Sequence, residues 1–133
     1  MVPTTLGEKG TASLVNILLF ECIVWPLREY VDGASYFLLF LAFQMLFLLR
    51  ADKRDIGMLI VGSSYEKTYP LHQRLLYTFL YSLSVVTVFF PVIFAMNMLM
   101  QIVCIMATGT TVHGYLAGDI RTVRPKHLTS RNS

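Results

Sequence analysis

The sequence predicts an all-α, polytopic membrane helix bundle with four spans arranged as two helical hairpins. Three observations predict it. Charged residues make up 14% of the 133 residues and hydrophobic residues 55%, against the roughly 25% charged of a soluble chain. A soluble domain this small covers much of its surface with charge, and this chain has too little to do so. The charges are also clustered. No Lys, Arg, Asp or Glu occurs between Leu75 and Gly118, whereas ~18 apolar residues already make a span candidate. Finally, Lys and Arg are concentrated in two polar segments, which fixes an orientation.

The length suits one domain. We expect a transmembrane unit over residues 1–118, with a cytoplasmic loop at 50–74 and a polar cytoplasmic tail at 119–133. Residues 1–10 are a short polar lead. The first span runs from Ala12 to Leu27 and is interrupted at Trp25-Pro26, an aromatic anchor followed by a helix-disrupting residue. The stretch Ala12–Val24 after Lys9 also resembles the apolar part of a signal peptide, with Gly33 and Ser35 as small residues for cleavage. A second apolar segment follows at once, which favours a retained helix. Residues 28–33 form a turn, and the second span runs from Ala34 to Leu49. Both spans are near the lower limit of ~17 residues, and Tyr30 and Arg50 extend them by snorkelling.

The loop 50–74 contains an apolar patch, Ile56–Val61, expected to lie on the membrane surface as a short helix or strand. Pro70 ends the loop. Pro91 lies near the middle of the uncharged stretch and is the expected turn between the third and fourth spans. The end of the tail is expected to be disordered.

Orientation follows from the positive-inside bias. The loop carries Arg50, Lys53, Arg54, Lys67 and Arg74, and the tail Arg121, Arg124, Lys126 and Arg131. The 28–33 turn carries Arg28 alone, against Glu29 and Asp32. The turn therefore faces out, and the loop and both termini face in. The alternative is a single kinked span over 75–118 that leaves a basic tail outside. The net charge of +3 suits anionic lipid around the spans. With no aromatic–basic interleaving or zinc spacing, no nucleic-acid partner is expected. Cys22 and Cys104 lie inside apolar segments and are expected to be packing residues.

A few intramembrane polar residues are the candidates for function. Glu21 lies in the first span, where a charge costs ~2.5–3.5 kcal/mol on insertion scales. It either titrates as part of an exchange mechanism or hydrogen-bonds to a neighbouring helix; it can also lie nearer the outer surface. Asn97 and Gln101 are four residues apart and share a face that continues to Cys104 and Thr108. Asn16 and Gln44 add polar groups to the first and second spans. Interhelical amides contribute only ~0.6–2 kcal/mol each as structural glue, and packing is the plainer role. A polar pathway would require these groups to converge with Glu21. His113, in the small-residue segment Gly109–Gly118, can shuttle protons at neutral pH or serve as a hydrogen-bonded boundary residue. His72 and His127 are expected to be interfacial and tail residues. No second ligand is spaced for a metal. No P-loop, GxSxG or HExxH occurs, and Ser63-Ser64 has no evident general base, so no catalytic residue and no cofactor is expected.

Three segments resemble the RDD family of bacterial membrane proteins. The first is Lys9, Ala12 and Asn16, where the family has Arg, Ala and Asp. The second is Arg54-Asp-Ile-Gly57-Met-Leu-Ile-Val-Gly62, with the arginine and both glycines in register. The third is Thr111-Val-His113-Gly-Tyr-Leu-Ala117-Gly118. Together they run from Lys9 to Gly118, over most of the chain. The resemblance implies a bacterial inner-membrane protein related to transport, with cation/proton antiport suggested for some members. Two of the family's carboxylates are replaced here, by Asn16 and Gly114. Glu21 lies five residues beyond Asn16, about 140° around the helix, and cannot take over the lost acid on the same face. This favours a non-catalytic accessory subunit that packs against a larger membrane complex or against copies of itself. A small oligomeric cation/proton antiporter is the alternative.

Overall fold

The computed structural model describes residues 2–50 and 54–124. The fold is mostly helical. Helix α1 spans Leu6–Val24, α2 Gly33–Leu46, α3 Ile56–Val61, α4 Leu71–Val86, α5 Pro91–Thr108 and α6 Val112–Leu116. Three short strands, β1 (Val2–Pro3), β2 (Ser64–Tyr65) and β3 (Thr122–Arg124), form one antiparallel sheet in the order β1-β3-β2.

The helix ends follow from local chemistry. Thr5 and Glu8 form a reciprocal capping box at the start of α1. Pro26 cannot donate a backbone hydrogen bond, and α1 gives way there to a tight 3-10 stretch, Trp25–Tyr30. The Asp32 carboxylate accepts the Ser35 N–H at 2.8 Å and starts α2. Pro91 opens α5 from its first turn, a position where its missing N–H costs nothing. The turn expected at Pro91 is therefore present, preceded by a short 3-10 segment, Thr87–Phe89.

α1 and α4 run away from the sheet, and α2 and α5 return toward it. The core lies between α1, α2 and α4 and is aromatic. Phe20, Val24, Tyr36, Phe40, Tyr81 and Val85 are buried together. Phe20 meets Tyr36 and Phe40 edge-on, with centroids 5.0 and 5.1 Å apart, a favoured geometry for ring quadrupoles. A second, smaller cluster of Tyr69, Ala117 and Ile120 sits under the sheet.

Two helical segments are long and apolar enough to cross a membrane, Leu6–Tyr30 and Pro91–Thr108; Gly33–Leu49 is a shorter apolar helix. Outward-facing Leu14, Leu18, Leu38, Leu46, Val92, Leu99 and Met106 leave a broad apolar exterior. α5 has no buried residue along its whole length.

The patch Ile56–Val61 forms a short helix, α3, which packs on α1 and buries Gly57 and Met58 while Ile60 stays exposed. One expectation differs from the structure. Residues 120–124 do not begin a free tail. Ile120 and Val123 are buried, and the Ile120 N–H donates to the Gly114 carbonyl at 2.8 Å. An apolar residue at every third position, Ile120 and Val123, gives this stretch something to bury. The expected disorder at the end of the tail falls on residues 125–133, outside the described residues.

Candidate functional site

The polar groups concentrate where α1, α3, α4, α5 and α6 meet near the sheet. Ala12 and Asn16 occupy one face of α1, four residues apart, and α3 crosses that face at Gly57. A Cβ at Gly57 would stand 2.6 Å from the Ala12 carbonyl carbon and 2.9 Å from its Cα. Only a glycine permits this approach. It brings the Gly57 N–H to the Asn16 Oδ1 at 2.9 Å. Asn16 Nδ2 in turn donates to the Tyr81 hydroxyl at 3.3 Å, and that hydroxyl meets Ser13 Oγ at 2.9 Å. Asp55 caps α3 by accepting the Met58 N–H at 2.8 Å. Burial raises the Asp55 carboxyl above its ordinary range, opposed by the Met58 N–H, then Asn16, then the charge of Arg74.

A second network joins α4, α5 and α6. The Gln101 Oε1 accepts the Val112 N–H at 3.0 Å, which fixes the amide orientation. Gln101 Nε2 then faces His113 Nδ1 at 3.5 Å and Ser84 Oγ at 3.4 Å. Asn97 Nδ2 donates to the same Ser84 Oγ at 2.8 Å. Lower on the stripe, the Thr108 hydroxyl donates to its own helix at the Cys104 carbonyl, 2.7 Å away. His113 is buried beside Tyr77 and Tyr81, with ring centroids 4.9 and 5.2 Å distant. Burial first, and the positive charge of Lys9 second, push its imidazole down to about 3. His113 is therefore a neutral packing and hydrogen-bonding group at pH 7, and its surroundings oppose a proton shuttle there.

Glu21 belongs to neither network. It lies half-buried in the later part of α1 and accepts the Tyr36 hydroxyl at 2.7 Å. This bond ties α1 to α2 on the aromatic side of the bundle. The convergence a polar pathway needs is absent between Glu21 and the Asn97, Gln101 and His113 group. Gln44 is buried on α2, and its Nε2 has no hydrogen-bond partner among the described residues.

The three segments that carried the resemblance come together at the sheet end. Lys9 Nζ donates to Thr122 Oγ1 at 3.0 Å, and Arg54 Nη1 to the Ser63 carbonyl at 3.0 Å. Gly62 ends α3 with φ 76°, a left-handed conformation suited to glycine. Ala117 is buried in the cluster with Tyr69 and Ile120, and Gly118 adopts φ 110°. Gly114 is equally constrained. A Cβ there would lie 2.5 Å from Thr110 Oγ1 and 2.8 Å from the Ile120 carbonyl oxygen. This fold has no room for a carboxylate at position 114.

Sequence reasoning missed Ser13, Tyr36, Tyr81, Ser84 and Arg74. Arg74 is buried with its guanidinium over Tyr65 and Tyr77, 3.9 and 4.9 Å from the ring centroids. One signal was present: Arg74, Tyr77 and Tyr81 recur at helical spacing along one face of α4. Among the described residues, no group of three or more His, Cys, Asp or Glu is placed to hold a metal.

Between α1, α4 and α5 lies an open cleft of about 320 Å³. Its sheet end is lined by Lys9, Ser13, Asn16, Tyr81, Gln101 and His113, and its far end by Ile17, Val85, Val88, Phe94 and Met98. No protein family, curated protein or solved structure matches this chain.

Proposed function

We propose that this chain is a four-span bacterial inner-membrane protein of RDD type that serves as a non-catalytic subunit of a larger membrane assembly. In this reading the sheet, the basic loop and both termini face the cytoplasm. The observation that carries it is α5. This apolar helix buries none of its residues within the chain. Phe94, Met98, Gln101, Ile102 and Ile105 of α5 line the cleft. On the opposite face Val92, Met96, Leu99 and Val103 are exposed, and this is the face offered to a neighbouring subunit. Meanwhile Asn16, Glu21, Asn97, Gln101 and His113 are engaged in hydrogen bonds inside the chain, which suits structural glue rather than transport.

The second reading, a small oligomeric cation/proton antiporter, draws on the resemblance and on Glu21. The separation of Glu21 from the other polar groups weighs against it.

The assembly reading is tested by extracting the protein from its native membrane in mild detergent and measuring its mass. A stable assembly larger than one chain is expected. Val103→Trp should release the single chain, and Leu38→Trp, on exposed α2 surface, should not. A wild-type protein that runs as one chain overturns the reading.

A further inference from the structure

The cleft between α1, α4 and α5 has a shape and polarity that neither the core packing nor the α5 outer face requires. Its volume of about 320 Å³ falls within the ~300–1,000 Å³ of small-molecule sites. Its length is informative. From Tyr77 on α4 to Val88 in the 3-10 segment that follows it, and from Phe94 to Ile105 on α5, the walls cover eleven residue steps each, about 16 Å at helical rise. That is about half of a ~30 Å hydrocarbon core, or one leaflet. Polarity runs along the same axis. The far walls are mostly apolar, with Ser84 a hydrogen-bonding group beside Val85, and most of the other polar groups gather toward the sheet end.

Charge at that end selects the head of the occupant. The charged residues lining the cleft are Glu8, Lys9 and Asp55. The Glu8 carboxylate is paired with Arg124 at 3.2 Å and bonded to the Thr5 hydroxyl at 2.9 Å. The Asp55 carboxyl is turned to the start of α3, where it accepts the Met58 N–H. Lys9 is half-buried and, among the described residues, donates one hydrogen bond, to Thr122. An ammonium has three protons to donate, so Lys9 can still bind an anion at the mouth of the cleft. Ser13 and the Tyr81 hydroxyl lie further in.

We propose that this cleft is a binding site for one anionic phospholipid, whose acyl chain lies between α1 and α5 and whose phosphate is held by Lys9. The site rests on the membrane placement of the chain but not on its having a partner subunit. The head sits at the level of the sheet and basic loop, where anionic lipid of the cytoplasmic leaflet is enriched. A neutral phospholipid fills the same apolar walls without the charge-assisted contact, and inorganic phosphate makes that contact without the walls.

Native mass spectrometry of the full chain, released from nanodiscs containing equal phosphatidylglycerol and phosphatidylcholine, tests this. One phosphatidylglycerol should stay bound under activation that strips phosphatidylcholine. Lys9→Gln, which can still bond Thr122, should lower the retained fraction about ten-fold, the size of one lost charge-assisted hydrogen bond. Lys9→Arg should restore retention, and Lys67→Gln on the exposed loop should leave it unchanged. Ile102→Trp, which fills the cleft wall, should remove both lipids. Equal retention of the two lipids by the wild-type chain overturns the proposal, even if a variant fails to fold. So does retention that survives both Lys9→Gln and Ile102→Trp, or displacement of the lipid by inorganic phosphate alone.

Discussion

Gly57→Ala will cost about 4 kcal/mol and leave little folded protein. The new Cβ meets the backbone of Ala12, 2.6 Å from its carbonyl carbon and 2.9 Å from its Cα. A backbone contact has no flexible end that can swing aside, so α3 must move off α1. Overpacking of this kind costs ~1–3 kcal/mol. Separation also breaks the bond from Gly57 N–H to Asn16 Oδ1 and leaves buried polar atoms unsatisfied, for a further ~1–3 kcal/mol. The sum is a large part of the ~5–15 kcal/mol that holds a typical domain together. Gly10→Ala is the control. Its Cβ would meet nothing within 4 Å, and alanine is the better helix former. Fluorescence-detected size exclusion in detergent should show a monodisperse peak for wild type and Gly10→Ala and its loss for Gly57→Ala. An unchanged Gly57→Ala melting temperature would contradict the close crossing of α1 and α3.

Acidification will destabilise the protein through His113. Its folded imidazole is pushed from 6.5 down to about 3. The unfolded chain therefore binds the extra proton first. Stability from this group is complete well above pH 6.5 and is lost as pH falls toward the folded value. At pH 5 the loss is about 2 kcal/mol relative to pH 8. The geometry agrees. Gln101 Nε2 points a donor at Nδ1, and a proton on Nδ1 would face it. The charge of Lys9 repels the imidazolium, and Tyr77 and Tyr81 pack against the ring. The melting temperature should fall between pH 8 and pH 5 in wild type, and His113→Gln should flatten that dependence. An equal slope in both proteins would place the acid sensitivity elsewhere.

The long helices were legible because their signals are local. Apolar runs placed the first two segments at Ala12–Leu27 and Ala34–Leu49, close to the observed α1 and α2, and Pro91 marked the next turn. α1 begins earlier than expected, at Leu6, because the polar residues Glu8 and Lys9 lie within its first turns rather than before it. The sheet was not legible. Strands of two or three residues have no alternation to read, and β1 pairs with β3 across nearly the whole chain. The patch Ile56–Val61 was legible as apolar, but its burial depends on Gly57 meeting Ala12, a contact that no spacing along the chain encodes. The site was visible as residue types and not as pairs. Asn16, Gln101 and His113 stood out as polar residues in apolar surroundings. Their partners Tyr81 and Ser84, and Tyr36 for Glu21, are ordinary in sequence and acquire roles only through packing.

The central claim is that the polar groups hold the bundle together and do not move ions. The direct test is purified protein in liposomes with an imposed proton gradient and internal Na⁺ or K⁺. The account predicts cation movement no faster than in protein-free liposomes, in wild type and Glu21→Gln alike. Cation movement against the proton gradient that disappears in Glu21→Gln would contradict it.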